Sequence, residues 1–507
     1  MLESLSIHDI VVVFAYFAAV LGVGLWFGRQ EETTEDFMLG GRRTPWLAVL
    51  GSLIATEISA ATFLATPGVG FASDLRYLQF GIGSLLGRVF IALVFLKIFY
   101  DLRCVSIYEY LAHRFGGTSH RTAAVFFLLS RLTASGVRLM IASAGLHVIL
   151  GVPFGLAMIL FTVLCLAYTG LGGIKAVIAT DCVQAVVFIG AGLSMFFVLH
   201  HLVGWGEIIH LGNAAGRLDV FNFWPDQGNA ATGWFLDSNV LILAVVFGFV
   251  NTVAMQGTDH DFTQRMLTCR DVKQAQRSVI LSGVAAIPVA AIFLLIGVGL
   301  YAYYQVSPDP TLPTQTIDGV TKVMPDKVFP HFIVTVLPDG LRGLLLCGVL
   351  AAAMSSLDSA MAALSSSVVV DLYKPLVKGR LSERGMVWLS RAMMVAVAIV
   401  LGLIAWQLER LQQASGGQFL WLAFQVSTVT YSGLLGVFLL GMLTKRGRDG
   451  WNLVAMFSGS LTTAGLLALL KLDIIHIAWQ WPMLIGVTAT VVIGALVTKI
   501  PVDDRPQ

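Results

Sequence analysis

Ser355 and Ser356 stand side by side in an apolar run, one helical turn beyond Ala352. A hydroxyl pair so placed has two uses. It can bond its own helix backbone or ease close helix packing. It can also join carbonyls from a broken helix to hold a sodium ion, which takes about five or six mostly neutral oxygens and must be able to leave again. Charged side chains in other apolar runs narrow the chemistry: Glu57, Asp181, Arg131 and Arg138. An ionisable group inside a bilayer is costly and tends to face a cavity or a partner. Asp181 suits a cation, or a helix-entry pairing with Lys175, while Asp358, two residues past Ser356, suits a structural bond. The planar fork of an arginine fits a carboxylate. Arg138 therefore reads either as the clamp for an anionic solute or as half of a bridge to Glu57 or another buried acid.

Neutral polar groups complete a second candidate set. Glu57, Ser59 and Thr62 share one apolar run, Gln79 opens the next, Asn251, Thr252 and Gln256 lie in a third, and Gln425 in a fourth. Hydroxyls and amides that both donate and accept suit a polyhydroxy or zwitterionic solute, with Phe63, Trp421 and Phe424 as flat apolar walls. A share of these residues should instead be satisfied helix–helix contacts.

The elements that must position these groups follow from composition. The 507 residues are 57% hydrophobic and 12% charged, and the mean hydropathy is +0.81. A soluble domain carries roughly a quarter charged residues, so most of this surface faces something other than water. Apolar runs of about 20 residues, enough to cross a bilayer as helix, give about thirteen predicted spans. They fall at 9–27, 46–70, 77–100, 123–150, 154–169, 176–203, 239–262, 278–303, 341–372, 387–408, 419–443, 451–472 and 475–497. The first is too long for a signal-peptide core and runs into charged residues, so it stays a span. After the last span only a few polar residues follow, and no output domain is expected.

Lys and Arg gather in alternate loops, among them Arg42 and Arg43, Arg114 and Arg121, Arg265 to Arg277, Lys374 to Arg384, and Lys445 to Arg448. The positive-inside rule makes those loops cytoplasmic. An odd span number then puts the N-terminus outside and the C-terminus inside, in a bacterial-type inner membrane. The net charge of +2 gives no reason to expect nucleic acid as a partner. The five cysteines show no paired spacing and read as small apolar fillers. No HExxH, metal-ligand cluster or phosphate loop marks an enzyme, and His200 and His201 lie at a span end.

Two spans are interrupted. The second reads SLIATEISAATFLATPGVG and the seventh VVFGFVNTVAMQGTDHDF. Five spans separate them, as expected if spans two to six and seven to eleven are inverted repeats. Broken polar spans at matching positions mark transporter binding sites, although ordinary Pro or Gly kinks are also common in membrane bundles. The expected organisation is an extra span and loop at 1–45, repeats at 46–203 and 239–443 flanking a loop at 204–238, and two further spans with a short tail at 444–507.

Four segments, SLIATEISAATF, YTGLGGIKAVIATDCVQ, QGTDHDFTQR and AAAMSSLDSAMAALSSS, supported by SGLLGVFLLGML, resemble the sodium:solute symporter family in order and spacing along nearly the whole chain. The resemblance implies an all-α polytopic membrane protein with leucine-transporter-type inverted five-helix repeats, one sodium ion or two as coupling ions, and a small organic solute: sugar, sugar acid or other carboxylate, or amino acid. It implies sodium ligands from the carbonyls of Ala55, Ile58 and Ala352 and the hydroxyls of Ser355 and Ser356, with Asp181 completing a second site in some relatives. In sialic acid relatives an arginine from the helix corresponding to span four binds substrate, which is the anionic reading of Arg138. Glu57 departs from relatives that hold a neutral residue there. The protein is expected to act as a monomer. A membrane-embedded solute sensor is the competing reading, and the lack of an output domain in this sequence counts against it.

Overall fold

The computed structural model describes residues 6–27, 33–58, 60–150, 152–226, 232–317, 320–377, 382–415 and 418–497. Inside a bilayer every backbone N–H and C=O needs a partner within its own segment, and helices supply one. The predicted spans are accordingly helical. We number the helices α1 (Ile7–Phe27), α2 (Trp46–Glu57), α3 (Ala60–Ala72), α4 (Leu78–Asp101), α5 (Gly117–Leu150), α6 (Phe154–Gly170), α7 (Gly172–Val203) and α8 (Leu241–Thr252). They continue with α9 (His260–Leu267), α10 (Val272–Val306), α11 (Pro325–Thr335), α12 (Leu341–Ser367), α13 (Glu383–Ser415), α14 (Gln418–Leu443), α15 (Asp449–Lys471) and α16 (Trp481–Ala495).

Among the described residues, nine helices are long and apolar enough to cross a membrane alone, and α2 with α3 forms a tenth span bent by 61°. The shorter apolar helices 154–170, 427–443 and 481–495 occupy the remaining predicted spans. Several helices outrun their predictions into the loops: α10 starts at Val272, where Asp271 caps it by accepting from the Gln274 N–H at 3.0 Å. A short antiparallel hairpin, Thr314–Ile317 with Val320–Val323, lies between α10 and α11. The helix α12 is central, since 94% of its apolar window is buried against 17% for α1.

Both interruptions read from the sequence are present. Pro45 ends the incoming loop in extended conformation and α2 runs to Glu57; Ile58 then turns extended (φ −88°, ψ 105°) before α3. The seventh span passes from α8 through a π-turn, Val253–Gly257, and resumes as α9 behind the Asp259 cap.

The two halves pack alike. A Cβ added at Gly70 on α3 would run into the Leu294 carbonyl on α10, and one at Gly297 on α10 into the Pro67 carbonyl on α3. In the other half, a Cβ at Gly83 on α4 would strike the Val245 carbonyl on α8, and one at Gly248 on α8 the Phe80 carbonyl. Each broken span thus meets the second helix of the opposite repeat through paired glycines, the close approach that small residues allow in membranes. Gly83→Ala should force these backbones apart and cost about 1–3 kcal/mol, read as a lower melting temperature in detergent; an unchanged melting temperature would show that the contact is not tight.

Candidate functional site

The candidate cation oxygens come together where the first break meets α12. Ser355 Oγ donates to the Ala55 carbonyl across the helix interface at 2.8 Å and lies 3.3 Å from the Ala352 carbonyl. Ser356 Oγ donates to the same Ala352 carbonyl at 3.1 Å. Ile58 leaves the helical conformation at the end of α2, which takes its carbonyl out of the helical ladder. Both serines, Ala55 and Ala352 are wholly buried. The pair therefore does bond its own helix, as the ordinary reading holds, yet Ser355 also reaches a carbonyl that an intact α2 would have kept to itself.

Below this point, towards the end of the bundle that carries the basic loops, Arg265 organises a buried ionic network. Its Nη1 donates to the carboxylate and the carbonyl of Asp261, both at 2.6 Å. Its Nη2 donates to Asp181 Oδ2 at 3.2 Å and its Nε to Ser52 Oγ at 2.7 Å. Ser52 donates to Asp181 in turn. The second oxygen of Asp261 takes Arg131, whose Nη1 is 3.5 Å from Asp259, and Tyr431 donates to Asp259. One set of charges thus ties α2, α5, α7, α9 and α14 together. Asp181 Oδ1 is buried without a hydrogen bond among the described residues. Asp358 accepts from the Tyr168 hydroxyl at 2.6 Å, a bond that crosses from α6 to α12, and from the N–H of its neighbour Ser359 at 2.7 Å.

Glu57 does not pair with Arg138 or Arg131. Its carboxylate receives Arg88 from α4, a wholly buried side chain whose Nη1 also donates to Ser282 Oγ on α10 at 3.1 Å. Lys175 likewise passes over Asp181 and lies 3.8 Å from Asp36. The reason is geometric: α4 and α10 flank the break directly, whereas Arg131 is drawn to the two carboxylates at the start of α9. Arg138 is left apart, its Nη1 buried and without a hydrogen bond among the described residues.

The other candidates divide. Gln79 is committed to loop backbone, donating to the Asn239 carbonyl at 2.9 Å and accepting from the Asn222 N–H at 2.9 Å. Thr252 donates to Ser84 Oγ at 2.9 Å, and Asn251 Nδ2 lies 3.5 Å from Met255 Sδ. Gln256 is buried in the π-turn, and Thr62 on α3 has a partner of its own. Phe63 is not a cavity wall: it is buried against Phe293 and Phe329, at ring-centroid separations of 4.9 and 5.9 Å. Ser59 and the side chains of Gln425, Trp421 and Phe424 lie outside the described residues. The five cysteines are free, four of them buried.

Comparison with known proteins places this geometry. The sodium:solute symporter family model matches residues 37–459. The chain is 29% identical over 466 residues to the sodium/sialic acid symporter SiaT of Proteus mirabilis, covering 89% of each chain. It is 29% identical to the human sodium-coupled monocarboxylate transporter 1, covering 89% of this chain and 72% of that one. It is 28% identical to the sodium/glucose cotransporter of Vibrio parahaemolyticus, covering 88% and 82%. Among solved structures, a substrate-bound, outward-open Na+-coupled sialic acid symporter superposes with a TM-score of 0.84 at 25% identity, covering 97% of both chains. The fold is also shared with the nucleobase-cation-symport-1 transporter Mhp1, with a TM-score of 0.56 at 14% identity and 92% and 94% coverage. This chain belongs to the sodium:solute symporter family. It is a multi-pass plasma-membrane transporter, not an enzyme, and it couples sodium to the movement of a small organic solute.

Proposed function

We propose that the solute carries a carboxylate and that Arg138 binds it. One observation carries this reading. Arg88, Arg131 and Arg265 each meet a carboxylate, whereas Arg138, among the described residues, meets none. An unpaired guanidinium in a membrane core is costly, and a carboxylate on the solute offsets that cost while gaining a two-pronged hydrogen bond. Relatives named for sialic acid and for monocarboxylates handle acids; the glucose cotransporter does not, so kinship alone leaves the charge of the solute open.

In the same reading the carbonyls of Ala55, Ile58 and Ala352 and the hydroxyls of Ser355 and Ser356 hold one sodium ion. A second ion, where one binds, has the unbonded Oδ1 of Asp181 for a ligand. The basic loops face the cytoplasm, which puts the C-terminus inside, and the protein works as a monomer that exposes the site to each side in turn. The test is sodium-driven uptake of labelled carboxylates in proteoliposomes. Arg138→Gln should weaken binding of the acid by about 2–5 kcal/mol and leave the affinity for its neutral amide or alcohol analogue unchanged. Equal loss for charged and neutral analogues would defeat the carboxylate assignment.

A further inference from the structure

Glu57 is the last residue of α2 and its one charged side chain. It stands next to Ile58 and two residues beyond Ala55, whose carbonyls the sodium reading takes from the break. The last carbonyls of a helix have no partner in a following turn. Their position is therefore set by what the final turn is tied to. Two neighbouring helices grip that turn. From α12, Ser355 donates to the Ala55 carbonyl at 2.8 Å. From α4, Arg88 donates to the Glu57 carboxylate.

Of these two partners, Arg88 is the fixed one. It is wholly buried, and its Nη1 donates to Ser282 Oγ on α10 at 3.1 Å. The neighbouring Gly283 leaves room for the side chain, since a Cβ there would stand 2.8 Å from Arg88 Cδ. A guanidinium buried in a membrane is costly and calls for a partner. With Arg88 seated between α4 and α10, the loose end of α2 is what moves to meet it. Glu57 thus carries the position of α4 and α10 into the turn that supplies the ion's oxygens.

We propose that Arg88 is a positioning residue of the cation site: by holding Glu57 it sets where the Ala55 and Ile58 carbonyls stand relative to Ser355, and so sets the affinity for sodium. This rests on the reading of those carbonyls as sodium ligands. It differs from a plain structural ion pair, which would add stability alike with and without sodium.

The experiment needs no solute. The melting temperature of the purified protein in detergent is titrated with sodium chloride, with choline chloride keeping the ionic strength constant. An ion that binds the folded state raises its melting temperature by mass action, and the curve gives the half-effective sodium concentration. Glu57→Gln combined with Arg88→Met removes both charges and strands neither. It should raise that concentration about threefold or more, the usual scale of coupling through an intermediate residue. Arg88→Lys keeps the charge without the fork and should raise it less. Gly283→Ala presses on Arg88 while both charges remain, should act in the same direction, and serves if the double variant fails to fold.

Asp449→Ala on α15 is the control for general loosening. It removes a carboxylate that accepts from the Thr118 and Ser119 N–H groups at 3.0 and 2.6 Å, away from the break. It should lower the melting temperature and leave the half-effective sodium concentration unchanged. An equal shift in this control and in the double variant overturns the proposal. So does a wild-type sodium requirement in the double variant, provided that Ser355→Ala raises its own. A wild-type requirement in Ser355→Ala overturns the sodium reading itself, and the role of Arg88 falls with it.

Discussion

Arg265→Met should be the most destabilising single change in the bundle, lowering stability by about 3–5 kcal/mol, the cost of removing one partner from a buried ion pair. Asp181 and Asp261 are both wholly buried, and Arg265 lies between them at 3.2 and 2.6 Å. Without it Asp181 keeps, among the described residues, only the Ser52 hydroxyl, a neutral donor that cannot balance a charge. Asp261 fares better, because Arg131 still reaches its other oxygen. This asymmetry makes the prediction specific. Adding Asp181→Asn to Arg265→Met removes the stranded charge and should recover a large part of the loss, although each change alone is harmful. Adding Asp261→Asn instead should recover less, because it strips Arg131 of a partner. The measurement is the apparent melting temperature in detergent for the wild type, the single variants and the two double variants. Equal melting temperatures for Arg265→Met and its combination with Asp181→Asn would show that Asp181 is not the group that Arg265 neutralises.

The same network shows why the architecture was legible in the sequence while the wiring was not. A bilayer forces length and apolarity on every span, so each run of about 20 residues declares itself. The breaks are legible for a related reason: Glu57 with Pro67, and Asn251 with Gln256 and Gly257, are polar or helix-disrupting groups where the bilayer tolerates few. Partnership has no such periodic signature. Arg88 sits in GSLLGRVFIAL, deep in the third span, and an intramembrane arginine was a signal available for the partner of Glu57. Span four, with Arg131 and Arg138, offers two arginines to Glu57 and so masks the one in span three. Asp261 and Arg265 stand four residues apart, the spacing of a helical ion pair, at the end of the interrupted seventh span, where Arg265 reads from the sequence as one of the basic cytoplasmic-loop residues. Counting two acids and one arginine in QGTDHDFTQR points to an outside cation, and Arg131 is that cation. Gln79 misled for a different reason. It is polar and at a span mouth, but the loop that satisfies it, around Asn222 and Asn239, arrives from more than a hundred residues away.

Ser355→Ala and Ser356→Ala should each raise the sodium concentration for half-maximal uptake by about tenfold, and the double variant by more than either. The estimate follows from geometry. An ion ligand that has neutral hydroxyls and carbonyls for its shell loses one oxygen in each variant, and a loss of ~1.4 kcal/mol is a factor of ten in affinity. The two serines are not equivalent. Ser355 lies 2.8 Å from the Ala55 carbonyl on the other side of the interface, whereas Ser356 bonds within α12 to Ala352. Ser355→Ala also frees α2 from α12 at the break, so it should lower stability in the absence of sodium as well as weaken the ion; Ser356→Ala should act on the ion alone. Sodium titrations of uptake in proteoliposomes, paired with melting temperatures in potassium, separate the two effects. Asp181→Asn supplies the comparison. If a second ion uses its free oxygen, the variant should bring a Hill coefficient for sodium above one down to about one without changing the half-maximal concentration tenfold. A double serine variant with unaltered sodium dependence would move the ion away from α12 entirely. The carbonyls of Ala55 and Ile58 would then be free only because the break needs a bend, and not because an ion needs their oxygens.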